Sequence, residues 1–117
     1  GIAVFRNEEG MQKTLATIRA IKERLPEGSV HNKGRVFNTD LLSVLELDYM
    51  LDVAESVGMG AVTRKESRGA HAREDFPDRN DEDWLKHIVV ARSEDGQAEV
   101  GFLPVTMTKW EPIARTY

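Results

Sequence analysis

The chain has 117 residues, which is the size of a single domain with one modest hydrophobic core. Hydrophobic residues make up 40% of it and charged residues 31%, a composition typical of a folded globular protein. The net charge of −4 argues against a general nucleic-acid-binding protein, which would carry an excess of lysine and arginine. There is no cysteine, so disulfides, thiolate metal sites and cysteine nucleophiles are excluded. The apolar runs are far shorter than the ~18 residues of a membrane span, so we expect no direct membrane insertion.

The first predicted element is an amphipathic helix that begins at Asn7, a residue able to cap a helix N-terminus. Its apolar residues recur at helical spacing on one face, and they are Met11, Leu15, Ile18 and Leu25. A proline and a glycine at positions 26 and 28 end the pattern. Because only one face is apolar, we expect this helix to lie on a surface with its outer side in water.

A second helix is predicted after a loop at 27–38, with a run of capping residues at 38–40. Apolar side chains surround most of its circumference, and Asp48, Asp52 and Glu55 leave only a narrow polar stripe. A helix this apolar must be covered on more than one side. The first helix can cover one side, so the sequence predicts either a third, weaker helix or a partner surface beyond this chain.

The segment from Glu66 to Asp83 is dense in charge, with seven acids, three arginines and one histidine. At its end, Asn80 or Asp81 can start a short helix that carries Trp84. An antiparallel hairpin follows, because β-branched residues at 87–91 and a second run at 98–105 flank an Asp-Gly turn signal. We expect Pro104 where the second strand leaves the ladder, and an irregular tail after it.

Three partial motifs fail on their spacing. The Gly-Met-Gly at 58–60 lacks the third glycine of a dinucleotide fingerprint and follows no strand. A calcium-loop pattern that starts at Asp78 has Asp83 where glycine is required and Val89 where glutamate is required. His71 has no second imidazole close by, and a lone histidine is more often hydrogen-bonded than bound to metal. The sequence therefore predicts no metal site and no complete catalytic apparatus.

The candidate functional residues are the basic side chains of the charged segment, above all Arg68, His71 and Arg73. A guanidinium is planar and permanently charged, and it suits carboxylates, phosphates and the anionic edges of cofactors. The alternative is internal pairing, in which the arginines of the segment bind its own acids, which include Glu66, Glu74, Asp75 and Asp78. The chemistry of the residues leaves both interpretations open.

Residues 66–87, ESRGAHAREDFPDRNDEDWLKH, resemble the C-terminal domain of succinate dehydrogenase and fumarate reductase flavoprotein subunits. The ending at 112–117, PIARTY, is similar to the tail of that family, and the two helices fit the same domain, so the resemblance covers essentially the whole chain. One departure is Asn80, where the family commonly has aspartate, at a surface position.

The resemblance implies a mainly α fold, with a three-helix, spectrin-like bundle over about 1–86 and a small β-hairpin and irregular C-terminal tail over about 87–117. It also implies that a flavin-binding domain and a capping domain lie upstream, outside these residues. The chain begins at Gly1 without a methionine. We therefore expect it to be a domain of a longer protein.

The function that the resemblance implies is that of a non-catalytic domain in an FAD-dependent enzyme. The complete subunit would oxidise succinate to fumarate and pass electrons through FAD to an iron–sulfur subunit. We expect FAD in the full-length subunit, and neither FAD nor activity in this chain alone. The expected partners are the flavin-binding domain of the same subunit, the iron–sulfur subunit and the membrane anchor of the complex, with no nucleic acid. This implies a peripheral position on the cytoplasmic face of the bacterial inner membrane.

The alternatives are the sibling enzymes and a free-standing helical interaction module. Fumarate reductase shares the whole pattern. L-Aspartate oxidase shares the Glu-Ser-Arg-Gly core at 66–69 but diverges after it, and the continuation at 72–77 favours the succinate side.

The position of each residue in the family motif gives the candidate sites. Arg68 is expected nearest the flavin, and Arg115 in the tail close behind it, so both are candidate cofactor-binding residues. His71, Arg73 and Trp84 are expected to orient the loop and to contact the neighbouring domain. No catalytic residue and no metal ligand is expected in this chain.

Overall fold

The computed structural model describes residues 2–113. Its elements, in chain order, are β1 (Phe5–Arg6), α1 (Glu8–Arg24), a 3₁₀ turn (Leu25–Glu27), α2 (Thr39–Thr63), β2 (Ala72–Arg73), α3 (Asp81–Trp84), β3 (Lys86–Arg92) and β4 (Ala98–Pro104). The molecule is elongated, with extents of 56 × 32 × 31 Å. Its radius of gyration is 18.2 Å, whereas a compact domain of this length has about 13 Å.

Helix α1 forms where the sequence predicts it. The Asn7 Oδ1 atom accepts a hydrogen bond from the Gly10 amide at 2.9 Å and so caps the helix N-terminus. Met11 and Leu15 on its inner face are buried against α2. The two helices run antiparallel, because Leu15 approaches Gly58 at one end and Lys22 binds Asp52 near the other.

Helix α2 is capped by Asn38, whose Oδ1 accepts from the Leu41 amide at 2.9 Å. It continues through both glycines at 58 and 60 and ends at Thr63. Gly58 is needed for the approach of α1, since a Cβ atom there would lie 3.1 Å from the Leu15 Cδ1 atom. The Gly-Met-Gly segment is therefore a helix–helix contact and not a phosphate-binding turn.

The third helix of the predicted bundle is a single turn. Helix α3 has four residues, and the Asn80 Oδ1 atom caps it by accepting from the Asp83 amide. It is too short to pack along α1 or α2. The mainly α character and the small antiparallel hairpin are confirmed, but the spectrin-like three-helix bundle is not. The physical reason is the composition of 66–83, which has no apolar stripe and folds around ion pairs instead.

The predicted hairpin is confirmed. Strands β3 and β4 pair antiparallel with Val90 opposite Val100, and Pro104 sits opposite Lys86 at the end of the ladder. Gly96 in the turn has φ +84°, a value that favours glycine. A separate parallel pair, β1 with β2, places Arg6 opposite Arg73 and so attaches the N-terminal segment to the charged loop.

One face of α2 is open. The side chains at helical spacing along it are 51–69% exposed, and we name them the α2 stripe: Leu42, Leu45, Tyr49, Val53 and Val57. A row of exposed apolar side chains this long marks an interaction surface. Within residues 2–113, no helix combines the length and hydropathy that crossing a bilayer requires.

The contact at Gly58 gives a stability test. Gly58→Val should lower the free energy of unfolding by about 1–3 kcal/mol, because the added methyl groups must displace Leu15. Gly60→Ala is the matched control: a Cβ atom there would lie 4.0 Å from the Ile88 Cγ2 atom, so it should gain up to about 1 kcal/mol of helix propensity. Urea unfolding followed by circular dichroism measures both. Equal effects at the two positions would contradict the close helix approach.

Candidate functional site

The charged loop between α2 and β3 is held by a tight turn. Arg68 and His71 exchange backbone hydrogen bonds, at 2.9 Å from the Arg68 amide and 3.0 Å from the His71 amide. Gly69 inside the turn has φ +58°, which side chains rarely adopt, so this position favours glycine. The turn places the side chains of Arg68 and His71 on a short, fixed segment.

Arg73 is a buried charged residue of the loop, with 1% of its surface exposed. Its guanidinium binds Asp75 through two hydrogen bonds, of 2.8 and 2.5 Å, and also binds the Glu8 Oε2 atom at 2.7 Å. It donates as well to the carbonyls of Val62 and Arg64 at 3.1 and 3.2 Å, and these belong to the C-terminus of α2. Arg73 thus donates to carbonyls at the end of α2, which have no partner within the helix.

Glu66 is the second buried charge, and its side chain is fully enclosed. It accepts from Arg64 at 2.5 Å, from the Arg68 Nε and Nη2 atoms at 2.7 and 3.0 Å, and from the Asn80 amide at 2.9 Å. Burial alone would raise the pKa of Glu66, but the donors from Arg68, Asn80 and Arg64 outweigh it and hold the pKa below its ordinary value. The carboxylate is therefore ionised and ties the start of α3 to the end of α2.

His71 lies among three arginines. Its Nδ1 atom is 2.8 Å from the Arg6 Nη1 atom, and its Nε2 atom is 3.2 Å from the Arg64 carbonyl oxygen. Since a guanidinium only donates and a carbonyl only accepts, the ring is the neutral tautomer with its proton on Nε2. Burial, and then the charges of Arg6, Arg73 and Arg64, hold the pKa of His71 below its usual value.

Trp84 joins the loop to the hairpin. Its ring meets Phe102 edge-on at a centroid distance of 6.3 Å. The Lys86 ammonium lies 4.9 Å from the Trp84 ring and 4.4 Å from the Phe102 ring, so it sits against both aromatic rings. Arg64 lies 5.7 Å from the Trp84 ring on the other side of this contact.

The structure brings four of the five predicted site residues, Arg68, His71, Arg73 and Trp84, into one loop. Arg115 lies outside the described residues. Arg68 is ion-paired with Glu66 and with Asp81 at 2.5 Å, so the internal pairing that the sequence left open is present. Its Nη1 atom makes no hydrogen bond within residues 2–113, and 27% of the side chain is exposed.

Sequence reasoning missed two members of the cluster, Arg64 and Arg6. Arg64 donates to the carbonyls of Trp84 and Lys86 in addition to Glu66. Nothing in its local pattern separates it from any other basic residue at a helix end. Arg6 stands 65 positions from His71, and only the parallel β1–β2 pair brings them together.

The chemistry of the donor set limits what the described residues can hold. No group of three or more histidine, aspartate and glutamate side chains in residues 2–113 is placed to bind a metal ion. The glycines at 58 and 60 lie within α2, so this segment forms no dinucleotide-binding turn. Arg68, with one unengaged nitrogen and a partly open side chain, fits the edge of an anionic group supplied from outside the domain.

The fold is found in solved flavoprotein subunits. A variant of E. coli quinol fumarate reductase FrdA matches with a TM-score of 0.91 and 38% identity, over 97% of this chain and 20% of that chain. Sdh1 of Mycobacterium smegmatis matches with a TM-score of 0.79 and 28% identity, over 94% and 18%. The architecture is thus that of a C-terminal domain from a flavoprotein subunit.

The relatives agree with this class. The fumarate reductase flavoprotein subunit of Mycobacterium tuberculosis is 44% identical over 114 residues, and the succinate dehydrogenase flavoprotein subunit of Rickettsia conorii is 43% identical over 106 residues. This chain spans about a fifth of their length, at 20% and 18%. The family model described as fumarate reductase flavoprotein C-term matches residues 1–117. The chain belongs to this family of succinate dehydrogenase and fumarate reductase flavoprotein C-terminal domains.

Removal of the Arg73 side chain should unfold the domain or nearly so. Arg73→Ala would leave the Val62 carbonyl without its donor and would remove the buried cation that pairs with Asp75 and Glu8, at a cost of about 3–5 kcal/mol. Arg92→Ala is the control. It breaks the ion pair with Asp52, and because the Arg92 side chain is 65% exposed, we expect a loss of only about 0–1 kcal/mol. Thermal unfolding by circular dichroism compares the two. Equal losses would show that Arg73 has no special place in the structure.

The buried Glu66 predicts an acid-dependent stability. Its carboxyl has an ordinary pKa of 4.5 and a lower one when folded, so its stabilisation is present above pH 4.5 and is lost as the pH falls through the folded value. Glu66→Gln should therefore cost about 3–5 kcal/mol at neutral pH and progressively less in acid. Urea unfolding of both proteins across this pH range measures the difference. A difference that stays constant with pH would contradict the assignment.

Proposed function

We propose that this chain is the C-terminal domain of a flavoprotein subunit that oxidises succinate to fumarate. In this proposal FAD is bound by the upstream part of the same subunit, and the domain here packs on that part without supplying a catalytic residue. When bound, the flavin accepts the two electrons that leave succinate and passes them on one at a time. The family membership and the spacing of residues 64–87 support the proposal.

The observation that carries the proposal is the open face of α2. Only four apolar residues of the described chain are buried, namely Met11, Leu15, Leu51 and Ala61, while the α2 stripe is more than half exposed throughout. A 25-residue helix with this much exposed apolar surface marks a site where another surface docks. In this proposal the flavin-binding domain of the same subunit covers it.

Arg68 is the residue of this chain that we place toward the flavin. Its engaged nitrogens bind Glu66 and Asp81, which fix the plane of the guanidinium, and Nη1 points to no partner within residues 2–113. A positive group held rigidly in this way stabilises negative charge on a neighbouring ring system without reorganising. Glu66 and Asp81 neutralise part of the charge, so we expect a supporting contribution. Arg115 is proposed for the same side.

The direction of the reaction has one alternative, the reduction of fumarate. Relatives that carry the two names match almost equally, at 44% and 43% identity. Both names concern the same pair of dicarboxylates, which favours this pair over the oxidation of aspartate. The proposed partners follow from the same family: an iron–sulfur subunit, a membrane anchor and a peripheral position on the cytoplasmic face of the bacterial inner membrane.

The test uses the full-length subunit. Arg68→Ala should lower covalent flavin content and reduce succinate oxidation by roughly tenfold to a hundredfold, below the ~10²–10³ seen for a donor in direct contact with the reacting atoms. Arg68→Lys should restore little, because lysine lacks the planar fork. Arg115→Ala should show a weaker form of the same loss. Measurement of fumarate reduction beside succinate oxidation decides the direction.

Arg92→Ala is the control for these variants, since it removes an exposed arginine from the hairpin, away from the loop. Normal flavin content and turnover in both Arg68→Ala and Arg115→Ala would show that Arg68 serves only in ion pairs within the domain. A gene that encodes no flavin-binding domain upstream of Gly1 would favour the alternative, a free-standing helical interaction module.

A further inference from the structure

A cationic cavity lies beside the charged loop, between the end of α2, β1 and the start of β3. Its volume is about 280 Å³, and its polar lining residues are Arg6, Arg64, His71 and His87. None of its described lining residues is acidic. In a protein with net charge −4, a cavity lined only by basic polar side chains calls for a counter-charge.

The donors that remain available in the cavity belong to Arg6 and His87. Arg6 donates from Nε to the Ala3 carbonyl and from Nη1 to His71, and its Nη2 atom has no partner within residues 2–113. Arg6 also forms no ion pair with any described acid, whereas Arg64 is engaged by Glu66. His87 is exposed and makes no side-chain hydrogen bond within the same residues. An anion in the cavity would meet these two side chains.

The neighbouring arginines Arg64 and Arg73 already have acidic partners within the domain. Glu66 neutralises Arg64, and Asp75 with Glu8 neutralises Arg73, and none of these acids lines the cavity. Of the two arginines that line the cavity, Arg6 is the one without an ion pair to a described acid. His71 cannot supply another positive charge, because the neutral ring accepts from Arg6 and fixes its orientation.

The cavity continues the α2 stripe. Val57, the last residue of the stripe, is also a lining residue of the cavity, as are Gly60 and Ala61 one turn further on. A partner that covers the stripe from Leu42 onward therefore meets Arg6 and His87 at the end of its contact. An apolar helix face that ends beside a cation fits a partner surface with apolar side chains and one acid.

We propose that this cavity receives a carboxylate side chain, an aspartate or a glutamate, from the part of the subunit that covers the α2 stripe. The inference rests on the proposed function, because it takes the covering surface to belong to the same subunit. This chain spans about a fifth of the length of its relatives, so the rest of such a subunit would provide that surface. The volume of about 280 Å³ leaves room for an acidic side chain.

A charge placed at position 87 tests the proposal in the full-length subunit. His87→Glu brings a carboxylate next to Arg6, so within the domain alone it should be neutral or stabilising. If a partner carboxylate already occupies the cavity, the new charge repels it, and hydrogen exchange of the α2 amides should become at least tenfold faster. The measurement is hydrogen–deuterium exchange by mass spectrometry. His31→Glu, in the exposed loop before α2, is the matched control and should leave exchange unchanged.

Val53→Glu, in the middle of the α2 stripe, tests separately whether a partner covers α2 and whether a carboxylate occupies the cavity. Faster exchange in Val53→Glu with no change in His87→Glu would overturn the carboxylate and leave the covering of α2 in place. No change in either variant would overturn the covering itself, and with it the docking in the proposed function. A further measurement adds free succinate to the full-length subunit. If succinate slows exchange around residues 60–71 and His87→Glu abolishes this effect, the cavity binds a free dicarboxylate. The proposal that a partner side chain occupies it would then be wrong.

Discussion

The domain depends on the buried guanidinium of Arg73, which connects the end of one helix to the beginning of the other. It donates to the last carbonyls of α2, where the helix dipole is negative, and it binds Asp75 and Glu8. Asp75 in turn accepts from the Glu8 amide at 2.9 Å, at the positive end of α1. Each charge therefore sits at the helix terminus that favours it. Without this bridge the two helices would share a contact along their sides but no fixed register at their ends.

An ionic centre of this kind accompanies a thin apolar core. Buried ion pairs repay their desolvation only when hydrogen bonds satisfy every partner, and within residues 2–113 no buried side-chain nitrogen or oxygen lacks one. The pairs fix the geometry of the loop, while the apolar area that would stabilise a larger domain stays on the open face of α2. A rigid loop beside an exposed helix is well suited to docking, because little conformational freedom is lost when the partner arrives.

The sequence predicted the elements whose causes are local. The caps at Asn7 and Asn38, the Asp-Gly hairpin turn and the end of the ladder at Pro104 all depend on neighbouring residues, and the structure has each of them. The short helix predicted to start at Asn80 or Asp81 is present. The bundle that the family resemblance implies is not confirmed, because a segment without an apolar stripe forms only one helical turn. Arg6 and Glu8 were missed because their partners in the loop are 65 positions away. Arg64 was missed because nothing in its local pattern distinguishes it from other basic residues at a helix end. Periodicity reports which face of a helix is buried, but not which charge meets which.

The parallel pairing of β1 with β2 has a consequence for the order of folding. Arg6 and His71 are 65 positions apart, and closing a loop of that length costs roughly 4 kcal/mol of chain entropy before any contact is made. The antiparallel helices close through the much shorter connection at 25–38, so their contact comes first and brings the two distant strands within reach. We expect the long-range contacts of Arg6 and Glu8 with the charged loop to form late in folding. Substitutions at these two residues should act mainly on the rate of unfolding, since interactions absent from the transition state leave the folding rate nearly unchanged.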